Sequence, residues 1–333
     1  MWSALAGRTR SLAAAASLAA ILGAAPALAQ SAWDMPTPYP DNNFHTLNIQ
    51  KFAADVAEKT GGQLTIKVHP AGSLIKHPEI KNSVRSGVVP IGEFLMSQAQ
   101  NENPIFGVDS VPFLATDYEQ SGKLWEAARP AIEDALGKQG LKVLYTVPWP
   151  PQGIYSKQPL AQMSDLKGIK FRAYNNATER VALLAGAVPT QVEAPDLAQA
   201  FATGRVDAMI TSPSTGANTK AWDYVSHYYD TQAWLPRNII VVSDKAWRRL
   251  DEATQKAVLD AAAEAEARGL EMSKEETEAK TKELADNGMT VEAPSDALKQ
   301  GFAHIGETMT SEWAKSAGAD GAKVLGAYRA SNN

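Results

Sequence analysis

The segment MSDLKGIKFRAYNNATERVALLAGAVPTQVEAPDLAQAFATGRVDA, residues 163–208, decides how this chain is read. Its apolar run from Ile169 ends on Arg172 and passes into the polar Tyr174-Asn175-Asn176. The spacing therefore predicts a short strand over Ile169 to Arg172, with a guanidinium at its far end. A helix follows over Ala177 to Gly186, and another over Pro195 to Thr203, closed by Gly204. Short strands alternating with helices imply βαβ units and an α/β fold with mostly parallel sheets. In such sheets ligands gather at the carboxyl ends of the strands, which is where Arg172 falls.

The same alternation extends outward on both sides. Upstream, Asp41-Asn42-Asn43 can cap a helix whose apolar residues Phe44, Leu47, Ile49, Phe52 and Val56 share one face, and which ends at Gly61-Gly62. Leu64 to Val68 alternates as a strand, and a helix over Pro78 to Ser86 leads to a second apolar run, Val88 to Ile91, with Gly92, Glu93 and Phe94 at its tip. A helix over Tyr118 to Gly137 and a strand over Leu141 to Thr146 come next. Val147-Pro148-Trp149-Pro150-Pro151-Gln152-Gly153 cannot run as a helix and reads as a stiff crossover between two lobes. Far downstream, Asp251 to Asn287 has a helix-forming composition and, at 1.5 Å per residue, a reach of roughly 50 Å. Either one helix braces both lobes, or two helices break near Gly269.

The first 29 residues differ in kind: Arg8 and Arg10, an alanine- and leucine-rich run from Leu12 to Ala25, then Pro26-Ala27-Leu28-Ala29. This order marks a secretory signal peptide cleaved after Ala29, and the run is short for a membrane anchor. Without Arg8 and Arg10, 30 basic side chains face 37 acidic ones, a formal charge of −7. That balance argues against nucleic acid or an anionic membrane as partner, since those need clustered Lys and Arg. The chain has no cysteine, hence neither a disulfide nor a lipidated thiol. An exported protein of about 300 residues held by its cores alone fits a bacterial periplasm, with room for two domains.

The chemistry of an enzyme is not visible. His45, His69, His77, His227 and His304 are scattered and form no helical metal pair, and no phosphate-binding or nucleophile-elbow motif occurs. Ser212-Pro213-Ser214-Thr215-Gly216 reads either as an anion cradle or as an ordinary turn. No catalytic residue, metal ligand or cofactor is expected, and the balance favours a binding protein.

Three motifs in order carry a resemblance: Asp165-Leu166-Lys167-Gly168-Ile169-Lys170-Phe171-Arg172, then Gly186-Ala187-Val188-Pro189, then Gly204-Arg205-Val206-Asp207-Ala208. Together with Thr60-Gly61-Gly62-Gln63-Leu64 and Asp109-Ser110-Val111-Pro112-Phe113, they resemble the DctP family, the periplasmic solute-binding receptors of tripartite ATP-independent periplasmic (TRAP) transporters. The resemblance implies a two-lobed periplasmic binding protein fold with a long helix bracing both lobes. Residues 30–149 plus 238–288 would form lobe I, and 150–237 plus 289–333 lobe II. It implies a receptor that captures a small organic carboxylate and delivers it to TRAP membrane permease subunits for ion-gradient-driven uptake; a monomer suits such a diffusing receptor. It also implies that Arg172 pairs with the solute carboxylate, for which a planar, permanently charged fork is suited.

Other assignments transfer less directly. Gln152 matches by spacing a second polar contact after the crossover, and Thr211 or Ser212 would replace an asparagine that the family commonly has after its Val-Asp-Gly ending. The alternation of elements further predicts Trp149, Phe44, His45, Glu93, Phe94, Trp234 and Asn238 on loops facing the cleft. Trp149 and Trp234 serve there either as cleft wall or as interlobe core, and Glu93 either as an amine ligand or as a solvated charge. A solute with an aromatic or amino group is the corresponding option. The rival readings are a receptor for an ATP-driven importer or a sensor, and an exported α/β hydrolase or lyase using Glu93 with His45.

Overall fold

The computed structural model describes residues 31–332, so the expected signal peptide lies outside the described residues. Strand β1 (Ser31–Pro36) pairs in parallel with β2 (Leu64–His69) across helix α1 (Phe44–Lys59). Asn43 starts α1 by accepting a hydrogen bond from the His45 amide, and Phe44, Ile49, Phe52 and Val56 are buried. Leu47, expected on that face, is instead exposed. Helix α2 (His77–Ser86) leads to β3 (Ile91–Leu95), and α3 (Tyr118–Gly137) to β4 (Leu141–Pro148).

Past the crossover come β5 (Gly153–Ser156), β6 (Lys170–Ala173), α4 (Asn176–Leu184), β7 (Val188–Gln191), α5 (Leu197–Ala202), β8 (Ala208–Thr211), α6 (Pro213–Asn218) and β9 (His227–Tyr229). The chain then returns through β10 (Arg237–Ser243), α7 (Asp244–Trp247), α8 (Glu252–Asp286), β11 (Thr290–Glu292) and α9 (Asp296–Ser331). Two main sheets result, one ordered β3-β10-β4 and the other β11-β9-β5-β8-β6-β7, each central to its own lobe.

The α/β, two-lobed expectation holds, whereas the expectation of mostly parallel sheets is corrected. Strands β6, β7 and β8, linked by α4 and α5, run parallel. Strand β10 is antiparallel to both β3 and β4, and β5 to both β8 and β9. The cause is the double crossover: β10 re-enters the first lobe against the direction in which β4 leaves it. Residues 149–152 and 233–236 lie side by side at the passage, tied by the amides of Trp149 to the Pro236 carbonyl (2.7 Å), Gln152 to Trp234 (3.0 Å) and Ala233 to Gln152 (3.0 Å).

Helix α8 is continuous through Gly269 and spans both lobes. Val258, Ala261, Ala262, Ala265, Gly269 and Ser273 make a buried stripe of mostly small side chains. Its first half is fastened to α1, where Asn48 Nδ2 donates to the Ala265 carbonyl (2.9 Å) and Arg268 Nε to Asn48 Oδ1 (2.8 Å). Its second half meets α6, where Ser214 donates to Glu276. Helix α9 also divides. Arg180 of α4 pairs with Glu312, but beyond Gly318, whose φ of 56° and ψ of −131° kink the helix, Val324, Leu325 and Tyr328 pack with α3 residues Leu124 and Trp125. The C-terminal residues, expected with the second lobe, are thus shared between the two.

Gly269 is required by close approach rather than as a helix break: a Cβ there would lie 2.5 Å from Val147 Cγ2 and 2.7 Å from Asn48 Nδ2. Gly269→Ala should therefore lower the melting temperature, because overpacking of about 1–3 kcal/mol outweighs a helix-propensity gain of up to about 1 kcal/mol. A thermal melt that rises would show that β4 and α1 yield to the methyl group.

Candidate functional site

The cleft between the lobes holds a cavity with about 390 Å³ of empty space. The second lobe contributes Arg172 and Tyr174 from the end of β6, Glu193 and Ala194 after β7, and Thr211, Ser212 and Thr215 around the β8–α6 turn. From the first lobe come Tyr39, His77, Leu95 and Gln98, and from the crossovers Trp149, Gln152 and Pro236. Of the residues expected at the site, Arg172, Gln152, Trp149, Thr211 and Ser212 therefore share one wall-to-wall space.

Arg172 is 3% exposed. Its Nε donates to the Val192 carbonyl (2.8 Å), and its guanidinium carbon lies 4.7 Å from the centre of the Tyr174 ring. These two contacts fix the plane of the fork. Its terminal nitrogens donate to no described residue, and no described carboxylate lies within 4.0 Å of them. Burial lowers its pKa from the ordinary value, countered first by Glu193, yet a guanidinium remains charged throughout the working range. Gln152 is committed at both ends, its Oε1 accepting from the Tyr174 hydroxyl (3.0 Å) and its Nε2 donating to the Pro150 carbonyl (2.9 Å). Ser212 caps α6 through the Thr215 amide (3.1 Å), while the Thr211 hydroxyl bonds no described residue.

The remaining expected residues are placed elsewhere. Strand β3 starts three residues later than the apolar run suggested, so Glu93 and Phe94 sit inside the strand instead of at its tip, and point to opposite faces. Phe94 is buried in the core with Ile80, Val84 and Phe106. Glu93 is fully buried, accepting from the Thr37 hydroxyl and from Asn238 Nδ2 (2.7 Å), and cannot reach a solute amine. Asn238 is the first full residue of the β10 ladder with β3, not a loop residue. Its Oδ1 accepts from both Trp149 Nε1 (2.9 Å) and the Tyr39 hydroxyl (3.2 Å). Phe44 and His45 pack behind Trp149, with ring centres 5.4 Å and 4.3 Å away. Burial depresses the His45 pKa well below its ordinary value, so the ring is neutral despite lying 3.6 Å from Glu93. Trp234 is core, 1% exposed, and acts through its backbone carbonyl. These residues form a backing layer that holds Trp149 and Tyr39 against the cavity.

Several lining residues escaped sequence reasoning, above all Tyr39, His77, Gln98, Tyr174 and Glu193. His77 Nε2 accepts from the Leu95 amide (3.1 Å), which leaves Nδ1 as the donor to Glu193 Oε2 (3.0 Å) across the cleft. Gln98 Nε2 donates to the Tyr174 carbonyl (2.6 Å) and Asn175 Nδ2 to Ser97 Oγ (2.8 Å). Burial pushes the Glu193 carboxyl up, but the His77 hydrogen bond and the Arg172 charge together bring it below its ordinary value.

Residues 37–316 match the family model of DctP, described as bacterial extracellular solute-binding protein, family 7. The chain belongs to this family. Extracytoplasmic solute receptors DctP6 and DctP7 of Bordetella pertussis, each binding pyroglutamic acid, are 45% and 48% identical to it. Each superposes with a TM-score of 0.89 over 90% of this chain and 99% of the other. A marine metagenome TRAP solute-binding protein specific for pyroglutamate is 43% identical over the same shares, also with a TM-score of 0.89. A curated solute-binding protein of Albidiferax ferrireducens is 27% identical over 53% of this chain and 52% of its own length, and one from Chromohalobacter salexigens 23% identical over 79% of each. As a DctP protein the chain is a TRAP solute receptor and not an enzyme, and its family is periplasmic and works with membrane permease subunits. No described helix is long and apolar enough to cross a membrane.

The backing layer makes stability depend on pH. Burial pushes the Glu93 carboxyl from 4.5 to about 7, against the hydrogen bonds from Thr37 and Asn238. The folded state then binds more protons than the unfolded one, so this group's contribution to stability falls as pH rises from about 4.5 to about 7. Asp109 behaves alike, pushed up to about 7 by burial, so a difference between variants is needed to isolate Glu93. Glu93→Gln should gain stability relative to wild type between pH 5 and pH 8, by an amount on the order of 1–3 kcal/mol. Parallel denaturation curves for the two proteins across that range would contradict the burial argument.

Proposed function

We propose that this receptor binds pyroglutamate, or a closely similar cyclic carboxylate, with Arg172 holding the carboxylate. The observation that carries the reading is a buried guanidinium with no described partner for its terminal nitrogens, lining the cleft between the lobes. A charge taken out of water in this way calls for an anion that forms two parallel hydrogen bonds with it. Three receptors that bind pyroglutamate are 43–48% identical to this chain along nearly its whole described length, which supports the choice of solute. Thr211 supplies a hydroxyl, Gln152 and Tyr174 a fixed polar rail, and Trp149 with Tyr39, whose rings meet edge to face at 72°, an apolar corner for a five-membered ring.

In this reading lobe I comprises 31–148, 237 to the first half of α8, and the end of α9, while lobe II holds 153–232, β11 and the start of α9. Closure brings His77 and Gln98 over a solute seated on Arg172, and the closed outer surface is what the permease subunits recognise. The option of an amino-bearing solute loses its motive, because Glu93 lies behind the wall.

Isothermal titration of the mature protein should give saturable binding of L-pyroglutamate in the range of ~1 μM or tighter, with succinate and glucuronate far weaker. Arg172→Ala should weaken binding at least ~100-fold, and Arg172→Lys less, since it keeps the charge but loses the fork. Equal affinity in wild type and Arg172→Ala would remove the anchoring role, and silence toward pyroglutamate would remove the assigned solute.

A further inference from the structure

We propose that Glu193 selects the solute, by accepting a hydrogen bond from an N–H beside the carboxylate that Arg172 holds. The inference rests on the pyroglutamate reading of the site and adds to it the group that recognises the ring nitrogen.

Glu193 is the single carboxylate among the described side chains lining the cavity. Arg172 lies on β6 and Glu193 two residues beyond the end of its parallel neighbour β7, and Arg172 Nε is bonded to the carbonyl of Val192, the residue before Glu193. Even so, the two charges form no ion pair within 4.0 Å. Each is held away from the other by its own partner: Arg172 by that carbonyl and the Tyr174 ring, Glu193 by His77. A cation and an anion kept apart over one cavity present complementary sites to a solute carrying an acceptor and a donor side by side. The α-carboxylate and ring N–H of a cyclic amide have that arrangement.

The two oxygens of Glu193 differ. Oε2 accepts from His77 Nδ1 at 3.0 Å, a bond whose direction is fixed because Nε2 is occupied by the Leu95 amide. Oε1 has only a contact of 3.5 Å from the Gln191 amide, at the outer limit of hydrogen bonding. An ionised carboxylate accepts and never donates, so Oε1 rewards an N–H and repels a lone pair. Gln152 Oε1 already accepts from the Tyr174 hydroxyl and carries no charge, so it is the weaker acceptor for the ring N–H. A ring oxygen in place of the N–H would leave Glu193 unpaired and face it with a second acceptor, and a second carboxylate would add charge repulsion. Rejection of both follows from the same atom.

The test compares L-pyroglutamate with its lactone isostere, 5-oxotetrahydrofuran-2-carboxylate, by isothermal titration in wild type and Glu193→Gln. Wild type should prefer the lactam by at least ~10-fold, and Glu193→Gln, whose amide can turn a donor toward the ring, should narrow the preference to ~3-fold or less. Equal binding of the two probes by wild type, or an undiminished preference in the variant, would overturn the role of Glu193 while leaving the pyroglutamate reading intact. If neither probe binds wild type, both inferences fall together, which separates that outcome from the first. Should Glu193→Gln not fold, Glu193→Asp, whose shorter side chain withdraws the oxygens from the ring nitrogen, takes its place, and an undiminished lactam preference there overturns the role of Glu193.

Discussion

A guanidinium withdrawn from water needs an anion, and Arg172 has no described carboxylate within ion-pairing distance. An isolated buried charge is destabilising by several kcal/mol unless hydrogen bonds and nearby charge offset it. Here the offset is partial: one carbonyl, the face of one tyrosine, and Glu193 at longer range. The remaining deficit sits at the two terminal nitrogens, on the cavity side. Much of the surrounding architecture serves to keep that deficit from being met internally. Glu193, the nearest candidate to neutralise it, is drawn off by His77 from the opposite lobe. Closure of the cleft therefore does two things at once, removing water from Arg172 and engaging the one side chain that would otherwise collapse onto it.

Such a site needs two walls that meet reproducibly, and the chain supplies rigidity at the hinge. The two crossover segments are tied to each other by backbone hydrogen bonds, and α8 runs unbroken beneath them with Gly269 pressed on Val147. The small residues along α8 let it approach β4 and α1 closely, so that the hinge bends about a fixed strut. The backing layer works in the same sense. Asn238 receives Trp149 and Tyr39 on one oxygen and gives its amide to Glu93, so the position of two cavity walls is set by a hydrogen-bond junction inside the β3–β10 ladder. A carboxylate at the end of that junction, accepting from both Thr37 and Asn238, leaves the latter's oxygen free to receive the two aromatic donors.

What could be read from residues alone divides along a physical line. The strand carrying Arg172, the proline-rich crossover and the long helix are local: each is written in a few consecutive residues with a clear period or composition, and each exists, the strand shifted by one residue to Lys170–Ala173 and the crossover shortened by the extension of β4 to Pro148. The errors lie where a boundary of two or three residues changes a side chain's face. Val88 looked like the start of a strand, yet it is exposed, and the ladder begins at Ile91, which moves Glu93 from a strand tip into the core. Likewise the antiparallel entry of β10 depends on the chain crossing between lobes twice, a property no local window contains. Glu193 and His77 were passed over for a different reason. They are 116 residues apart, and neither carries a motif; only their meeting across the cleft gives either one a role. A signal for Glu193 did exist, because it lies two residues past the strand beside Arg172, at the carboxyl edge where ligands gather.

The division of polar groups between the lobes orders the events of capture. Arg172, Glu193, Thr211 and Ser212 all belong to elements around the six-stranded sheet, whereas the first lobe offers His77 and Gln98, both of which bond to protein groups of the second lobe. A solute can thus be oriented on one wall before the other arrives, and the arriving wall bonds mainly to the wall that holds the solute. Selectivity and closure are then linked through a shared residue: whatever occupies the free oxygen of Glu193 changes how well its other oxygen receives His77. In the proposed reading, a solute that pairs with Arg172 but leaves Glu193 unsatisfied weakens the latch, so discrimination rests on how completely the cleft closes as well as on how tightly the solute is held.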